Sequence, residues 1–542
     1  MGPRTRGVAL TTFAPDPPRR MVPRWRFLSD RKPAPESSGD PRRSSPVSID
    51  PLYLEQRLQL WSRDPSLTTA ADVITGALTT GCKDKAIDAA QFIIENGSGT
   101  LPTVLAHAKR CLGLPSEESS DGVQLSAPDL GTEQLARGIV SQSRHRISRD
   151  ARNMEAWLDM SRAYAVLGQE KQAKRAMDRA LIVAPDHRLS LRAAVRLHLH
   201  YADPERAAAI LAKHARTRTD PWLLASEIAM NSILARTSKL IRHAKPMIES
   251  GRLPASQLTE LYGAMATLDF YNGSVRRTRQ HTRSSLEDPN DNAVAQARWL
   301  STLVGGLEIK PAAFDIVTSY EARCWRAMQK ADWSVALTEA REWLLDEPFT
   351  SRPAVQASFI ATSLIENYDL AESFTTIGLL AAPTNAMLLN NRTVIQIRKG
   401  NVTAAAETFR KIPAGFSNEH PEYVHLATRG LLSFRSGRPE DGRRDYERAT
   451  QIAPSGIGGR VIAHWVREEL EIDPQCAPLA DEICQTALNT TKDPITRRVL
   501  ELLRQRAIQV SSNNATHRSI LPTTSSNAWL KQLETKYPIH IG

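Results

Sequence analysis

Arg276, Arg279 and Arg283, in the run Val275-Arg276-Arg277-Thr278-Arg279-Gln280-His281-Thr282-Arg283, share one face of an expected helix and offer phosphate contacts. No aromatic side chains are interleaved for base stacking, so a solvated outer face is the competing reading. The histidines of His198-Leu199-His200 stand at i, i+2 and point to different sides of a helix, where a metal pair wants i, i+4. Glu468, Glu469 and Glu471, with Arg467 beside them, read as an ordinary charged helix end. The Gly-rich phosphate cradles G-x-x-x-x-G-K-S/T and G-x-G-x-x-G are absent, as is G-x-S-x-G. The five cysteines, Cys82, Cys111, Cys324, Cys476 and Cys484, include no C-x-x-C pair and read as reduced thiols rather than a disulfide or zinc framework. No catalytic, cofactor-binding or metal residues are expected, and the chain reads as a non-enzyme.

The elements that carry these residues belong to a folded chain. Of 542 residues 41% are apolar and 24% charged, which excludes disorder throughout, collagen and coiled-coil rods. No stretch approaches the ~18 apolar residues that span a bilayer and no secretory h-region is present, so the expected compartment is the cytoplasm. Seventy basic residues against fifty-nine acidic leave +11, and 54 of the basic residues are arginine. Arginine favours bidentate contacts with carboxylates and phosphates, although genomic base composition explains the excess more plainly. Residues 1–50 hold ten basic residues against five acidic, with a proline every five residues or so, and read as a basic disordered arm. Such an arm suits a nucleic-acid tether, or an organellar targeting segment that would move the compartment; a start at Met21 is the alternative.

A repeat organises the rest. From Met154 the chain runs Trp157, Tyr164, Gly168, Ala173, Met177, Ala180 and Pro185. Trp157 and Tyr164 share one face of a first helix, and Gly168 releases it. Ala173 and Ala180 let the second helix cross closely, Met177 fills between them, and Pro185 stops it. This resembles the 34-residue pattern of the tetratricopeptide repeat (TPR). The frame recurs from Tyr423 as Gly430, Gly437, Gly442, Tyr446, Ala449 and Pro454. It recurs again from Val317, Arg352 and Ala386, 35 and 34 residues apart, and in degenerate form from Arg188 and Ser256. Residues 222–255 and 290–316 are helical in pattern but match it poorly.

The resemblance implies an all-α, right-handed α-solenoid of about six to nine TPR-like helix-turn-helix pairs over 132–456, with helical caps and disordered termini. Around it stand the arm at 1–50, an N-terminal helical segment at 51–131, a C-terminal helical cap at 457–510 built from Val461–Leu470 and Leu479–Gln509, and a flexible tail at 511–542. The tail ends in the apolar stripe Trp529, Leu530, Leu533, Tyr537 and Ile539.

In such a stack the first helices line a groove for an extended peptide or a helix. Carrying the groove positions over places Leu158, Arg162, Glu321, Trp325, Met328, Gln356 and Asn390 in it, with Trp325 as the expected hot spot. Of the Lys, Asn and Arg set that holds a chaperone's terminal carboxylate, Arg162 and Arg196 stand in two adjacent copies without the accompanying Asn and Lys. The expected function is a non-enzymatic adaptor or scaffold binding a partner protein, with no cofactor and no stated oligomeric state. The alternative is a nucleic-acid-associated regulator that uses the arm and Arg276, Arg279 and Arg283.

Overall fold

The computed structural model describes residues 19–25, 51–80, 83–96, 102–112, 131–316, 318–417, 420–454 and 456–516. Helices make up nearly all of it, and no strand occurs among the described residues. The chain divides into two compact units, one of Trp25–Leu125 with Gly138–Met160, the other of Met1–Arg24, Ser126–Arg137 and Ser161–Gly542.

The larger unit is an α-solenoid of TPR-like helix pairs. Within each pair the chain turns through one residue in the left-handed region. That residue is Gly168, Gly273, Gly306, Gly400 or Gly437 in five pairs, and Ala202, Ala235, Ala331 or Glu366 in four. Most successive turns are 33 to 38 residues apart, Gly306 to Ala331 being the short exception. Ala235 and Gly306 fall in the two segments whose sequence matched the repeat poorly; the backbone keeps the period around Ala235, and shortens it after Gly306. Alanine costs about 1 kcal/mol at such a position and glycine almost nothing, which is why the glycine signature fades without the turn being lost.

The clearest pair, Met154–Val166 and Glu170–Val183, is built as its residues require. Ala173, Met177 and Ala180 are buried, and the Ser161 hydroxyl donates to the Ala173 carbonyl at 2.8 Å. Asp332, Asn367 and Asn385 cap later helices through their side chains. Glu422–Arg435 and Pro439–Ile452 cross at two glycines: a Cβ on Gly442 would sit 2.3 Å from the Phe434 ring and 2.9 Å from the Gly430 carbonyl oxygen.

Buried arginine–carboxylate bridges tie neighbouring and next-but-one pairs together. Arg192 grips Glu260 with two N–H groups at 2.6 and 2.9 Å. Arg188 reaches Asp220 at 2.5 Å, and Arg398 and Arg435 share Glu468, both at 2.7 Å. Glu468 and Glu469, expected at an ordinary charged helix end, are buried, Glu469 taking two N–H groups of Arg443 at 2.7 Å. The C-terminal helices are Gly458–Ile472, Ala477–Thr490 and Pro494–Thr516. The single helix expected over 479–509 is broken before Pro494, where Asp493 caps the Thr496 N–H at 2.8 Å. The last helix also runs past 510 to Thr516, and the apolar stripe of the tail lies outside the described residues.

The smaller unit packs Leu54, Val73, Ile74, Ala77, Ala86, Ala90, Ile93 and Ala108 into one core. It extends past residue 131, where the sequence placed its end, because Arg146 pairs with Asp72 at 2.5 Å and Asp159 at 3.1 Å, and Arg57 pairs with Asp150 at 2.8 Å.

The two kinds of glycine give opposite expectations. Gly442→Ala should destabilise by about 1–3 kcal/mol, because the added methyl overpacks a closed helix crossing. Gly138→Ala, on an open helix surface with nothing within 4 Å of the new Cβ, should stabilise by about 0.5–1 kcal/mol. Urea unfolding of the two variants checks both signs.

Candidate peptide-binding groove

The first helices of consecutive pairs present Ser232, Gly263, Asn292 and Glu321 along one groove, and a chain segment already occupies it. Residues 19–24, expected to be part of a disordered arm, run through this site without helix, with one tight turn at Met21 in which the Val22 N–H donates to the Arg20 carbonyl at 2.7 Å. The correction has a physical cause: buried carboxylates supply the partners that the segment's guanidiniums need. The other residues of the arm up to 50 lie outside the described residues, save Trp25, which is buried.

Arg19, 5% exposed, is held by four acceptor contacts. Its Nε and one terminal nitrogen each donate to a Glu321 carboxylate oxygen at 3.1 Å, in the bidentate geometry that suits a guanidinium. It also donates to Gln296 Oε1 at 2.7 Å and Asn292 Oδ1 at 2.8 Å. The same two amides turn their donors on the segment's backbone: Gln296 Nε2 to the Arg19 carbonyl at 3.3 Å, Asn292 Nδ2 to the Val22 carbonyl at 3.1 Å. Arg20 lies over the Tyr271 ring, 4.0 Å from its centroid, and donates to Ser232 Oγ at 2.9 Å. Met21 is buried, its sulfur 3.0 Å from where a Cβ on Gly263 would stand. Arg24 bridges Glu347 at 2.5 Å, Asp291 at 3.2 Å and Glu321.

The solenoid adds two cations of its own, Arg352 at 3.3 Å from Glu321 and Arg196 at 3.7 Å from Glu347. Glu347, fully buried, also accepts from Trp343 Nε1 at 3.1 Å. Burial by itself would push the Glu321 carboxyl up, but Arg19, Arg24 and Arg352 outweigh it and hold the group well below its usual range. Burial likewise opposes charge on Arg24, and Glu347, Glu321 and Asp291 overcome it, raising the guanidinium well above its ordinary value.

Of the expected groove residues, Glu321 stands at the centre of this site. Trp325, one turn further on the same helix, packs under the Arg298 guanidinium at 5.1 Å and is half-buried. Met328 and Gln356 face inward, Gln356 Nε2 lying 2.8 Å from the Met328 sulfur, so they join two helices and line no groove. Leu158 is buried within the smaller unit. Arg162 donates to the Asp346 carbonyl at 2.6 Å, tying two parts of the solenoid. Arg276 and Arg283 are exposed, whereas Arg279 is committed to the Gly305 carbonyl.

Asn390 lines a separate cavity of about 260 Å³, with Thr362, Tyr423, Arg460, His464 and Arg467. Its cations are capped: Arg460 by Thr496 at 3.0 Å and Asp493 at 3.4 Å, Arg467 by Glu366 and Tyr368. Burial, helped by Arg398, Arg467 and Arg460, lowers His464 to about 3, so its ring is neutral. No group of side chains fit to hold a metal ion occurs among the described residues. The Cys476 and Cys484 thiols are pushed up to about 12 by burial, which leaves them unreactive.

Asp291, Asn292, Gln296 and Glu347 were missed in the sequence. The first three sit in the segment that matched the repeat poorly, and Glu347 follows a second helix, outside the positions assigned to a groove. The available signal was the arm itself, whose arginines flank Met21.

No protein-family model matches the sequence, and no curated protein matches it. Among solved structures, the yeast Tom70 crystal structure is similar at 11% identity and a TM-score of 0.29, over 87% of this chain and 99% of that one. The Cut9–Hcn1 hetero-tetramer is similar at 14% identity and a TM-score of 0.37, over 84% and 93%. The human IFIT1 dimer with m7Gppp-AAAA gives 10% identity and 0.26, over 88% and 97%. At these values the likenesses carry no argument about function.

Because the docked value of Glu321 lies below its ordinary 4.5, docking keeps its full contribution above that range and loses it as pH falls through the depressed value. A ¹⁹F label on Met21, incorporated as trifluoromethionine and assigned by Met21→Leu, should keep its buried signal from pH 8 down to the ordinary carboxylate range and release it only in stronger acid. Release between pH 6 and 7 would show that another group controls docking.

Proposed function

We propose that the chain is a non-enzymatic scaffold that binds a segment of a partner protein in the groove centred on Glu321. The observation that carries this reading is that the groove holds Arg19, Arg20, Met21 and Arg24 through their side chains and Arg19 and Val22 through their main-chain carbonyls, which is how a peptide segment is recognised. Direct side-chain donors to the carbonyls of Arg19 and Val22 fix register, and buried carboxylates supply affinity. The cytoplasm is the compartment that goes with this reading. No helix among the described residues is long and apolar enough to cross a membrane.

For the nucleic-acid alternative, Arg19, Arg20, Arg24 and Arg279 are engaged within the chain, while Arg276 and Arg283 are exposed. Affinity capture from the protein's own cells, with and without nuclease, separates the two. The scaffold reading predicts a small set of proteins retained in both halves and lost from a Gly263→Leu chain, in which leucine fills the Met21 socket. Circular dichroism should show that variant folded. Disappearance of the bound proteins on nuclease treatment would contradict the reading.

A further inference from the structure

The groove is occupied by the chain's own segment, and the chemistry of that occupancy identifies what else fits. Three buried carboxylates, Asp291, Glu321 and Glu347, receive Arg19 and Arg24 of the segment, and Arg352 and Arg196 of the solenoid also reach Glu321 and Glu347. Two cationic positions are specified, five residues apart, at Arg19 and Arg24.

The first position asks for arginine in particular. Its guanidinium meets both oxygens of Glu321, Oε1 of Gln296 and Oδ1 of Asn292 at once, a planar set of acceptors that a lysine ammonium cannot match. Between the two cations lies a socket for one unbranched apolar side chain, opened by the missing Cβ of Gly263. Asn292 and Gln296 read the main chain on either side of it, so the pattern cannot slide by a residue without losing its pairing.

From this geometry we infer that the groove binds a partner segment of the form Arg-x-Met-x-x-Arg, or one with another unbranched apolar residue in place of Met, and that residues 19–24 compete with it from within the same chain. The inference rests on the scaffold reading and adds the ligand's chemistry and its regulation. A tethered segment competes at a high effective concentration, so a partner enters only by displacing it. Groove access is thereby controlled by whatever removes or engages the N-terminal segment.

The test uses a fluorescent synthetic peptide of residues 15–28 and the full-length chain. Arg19→Ala/Arg24→Ala in the protein weakens the internal competitor, and this variant should bind the peptide at least about tenfold more tightly than the unaltered chain. A peptide with both arginines changed to lysine should bind the variant about tenfold more weakly or worse. Equal binding of the arginine and lysine peptides would overturn the ligand specificity while leaving the scaffold reading intact. Equal affinity of variant and unaltered chain would overturn the competition. No binding to a folded variant would sink the scaffold reading itself.

Should the double variant not fold, the unaltered chain gives the same answer. With ¹⁵N-labelled protein, excess unlabelled peptide should accelerate hydrogen exchange in the protein's own residues 19–24. Unchanged exchange at saturating peptide would overturn the competition.

Discussion

A carboxylate taken out of water costs several kcal/mol, and only cations held close to it recover that cost. Glu347 has no exposed surface and Glu321 almost none, so everything around them is arranged to bring guanidiniums in. Two come from the solenoid and two from a segment some three hundred residues away in sequence. The same device recurs along the stack, at Arg192 with Glu260 and at Arg398 and Arg435 with Glu468. Part of the arginine content is thus an internal fastening of the repeats, while Arg276 and Arg283 stay exposed on an outer face.

That fastening needs a regular frame, and the frame is a backbone property. One left-handed residue reverses the chain inside each helix pair, and small residues let the two helices approach. The first helices that carry Ser232, Gly263, Asn292 and Glu321 then present these residues side by side, so acids and amides from successive repeats fall within reach of one segment. Glu321 reads as a single charged residue in the sequence; in the stack it is the point where three elements of the chain converge, its own helix, the N-terminal segment through Arg19 and Arg24, and the helix of Arg352.

The all-α repeat architecture was legible because its cause is local. Ala173, Met177 and Ala180 form one helix face, and Gly168, Gly400 and Gly437 mark turns whose geometry only a few residues tolerate. The turns at Ala235 and Gly306 were harder to see, since the residues flanking them do not follow the pattern. Glu321 was found by its repeat position, but Met328 and Gln356 at neighbouring positions turned inward. A rotation of one residue about a helix axis separates groove from core, and spacing alone does not resolve it. Arg19 and Arg24 were legible only as charge: their role depends on Asp291, Asn292, Gln296 and Glu347, which no local pattern connects to the N-terminal segment.

The central claim is that the N-terminal segment is held in the groove by its arginines. A double-mutant cycle between Arg19→Ala and Glu321→Ala, read by urea unfolding of the full chain, tests it most directly. For a bidentate pair this deeply buried, the coupling should be about 1.5 kcal/mol or more. A coupling indistinguishable from zero, with each variant folded, would mean that the segment does not occupy the groove and that its carboxylates are neutralised in some other way.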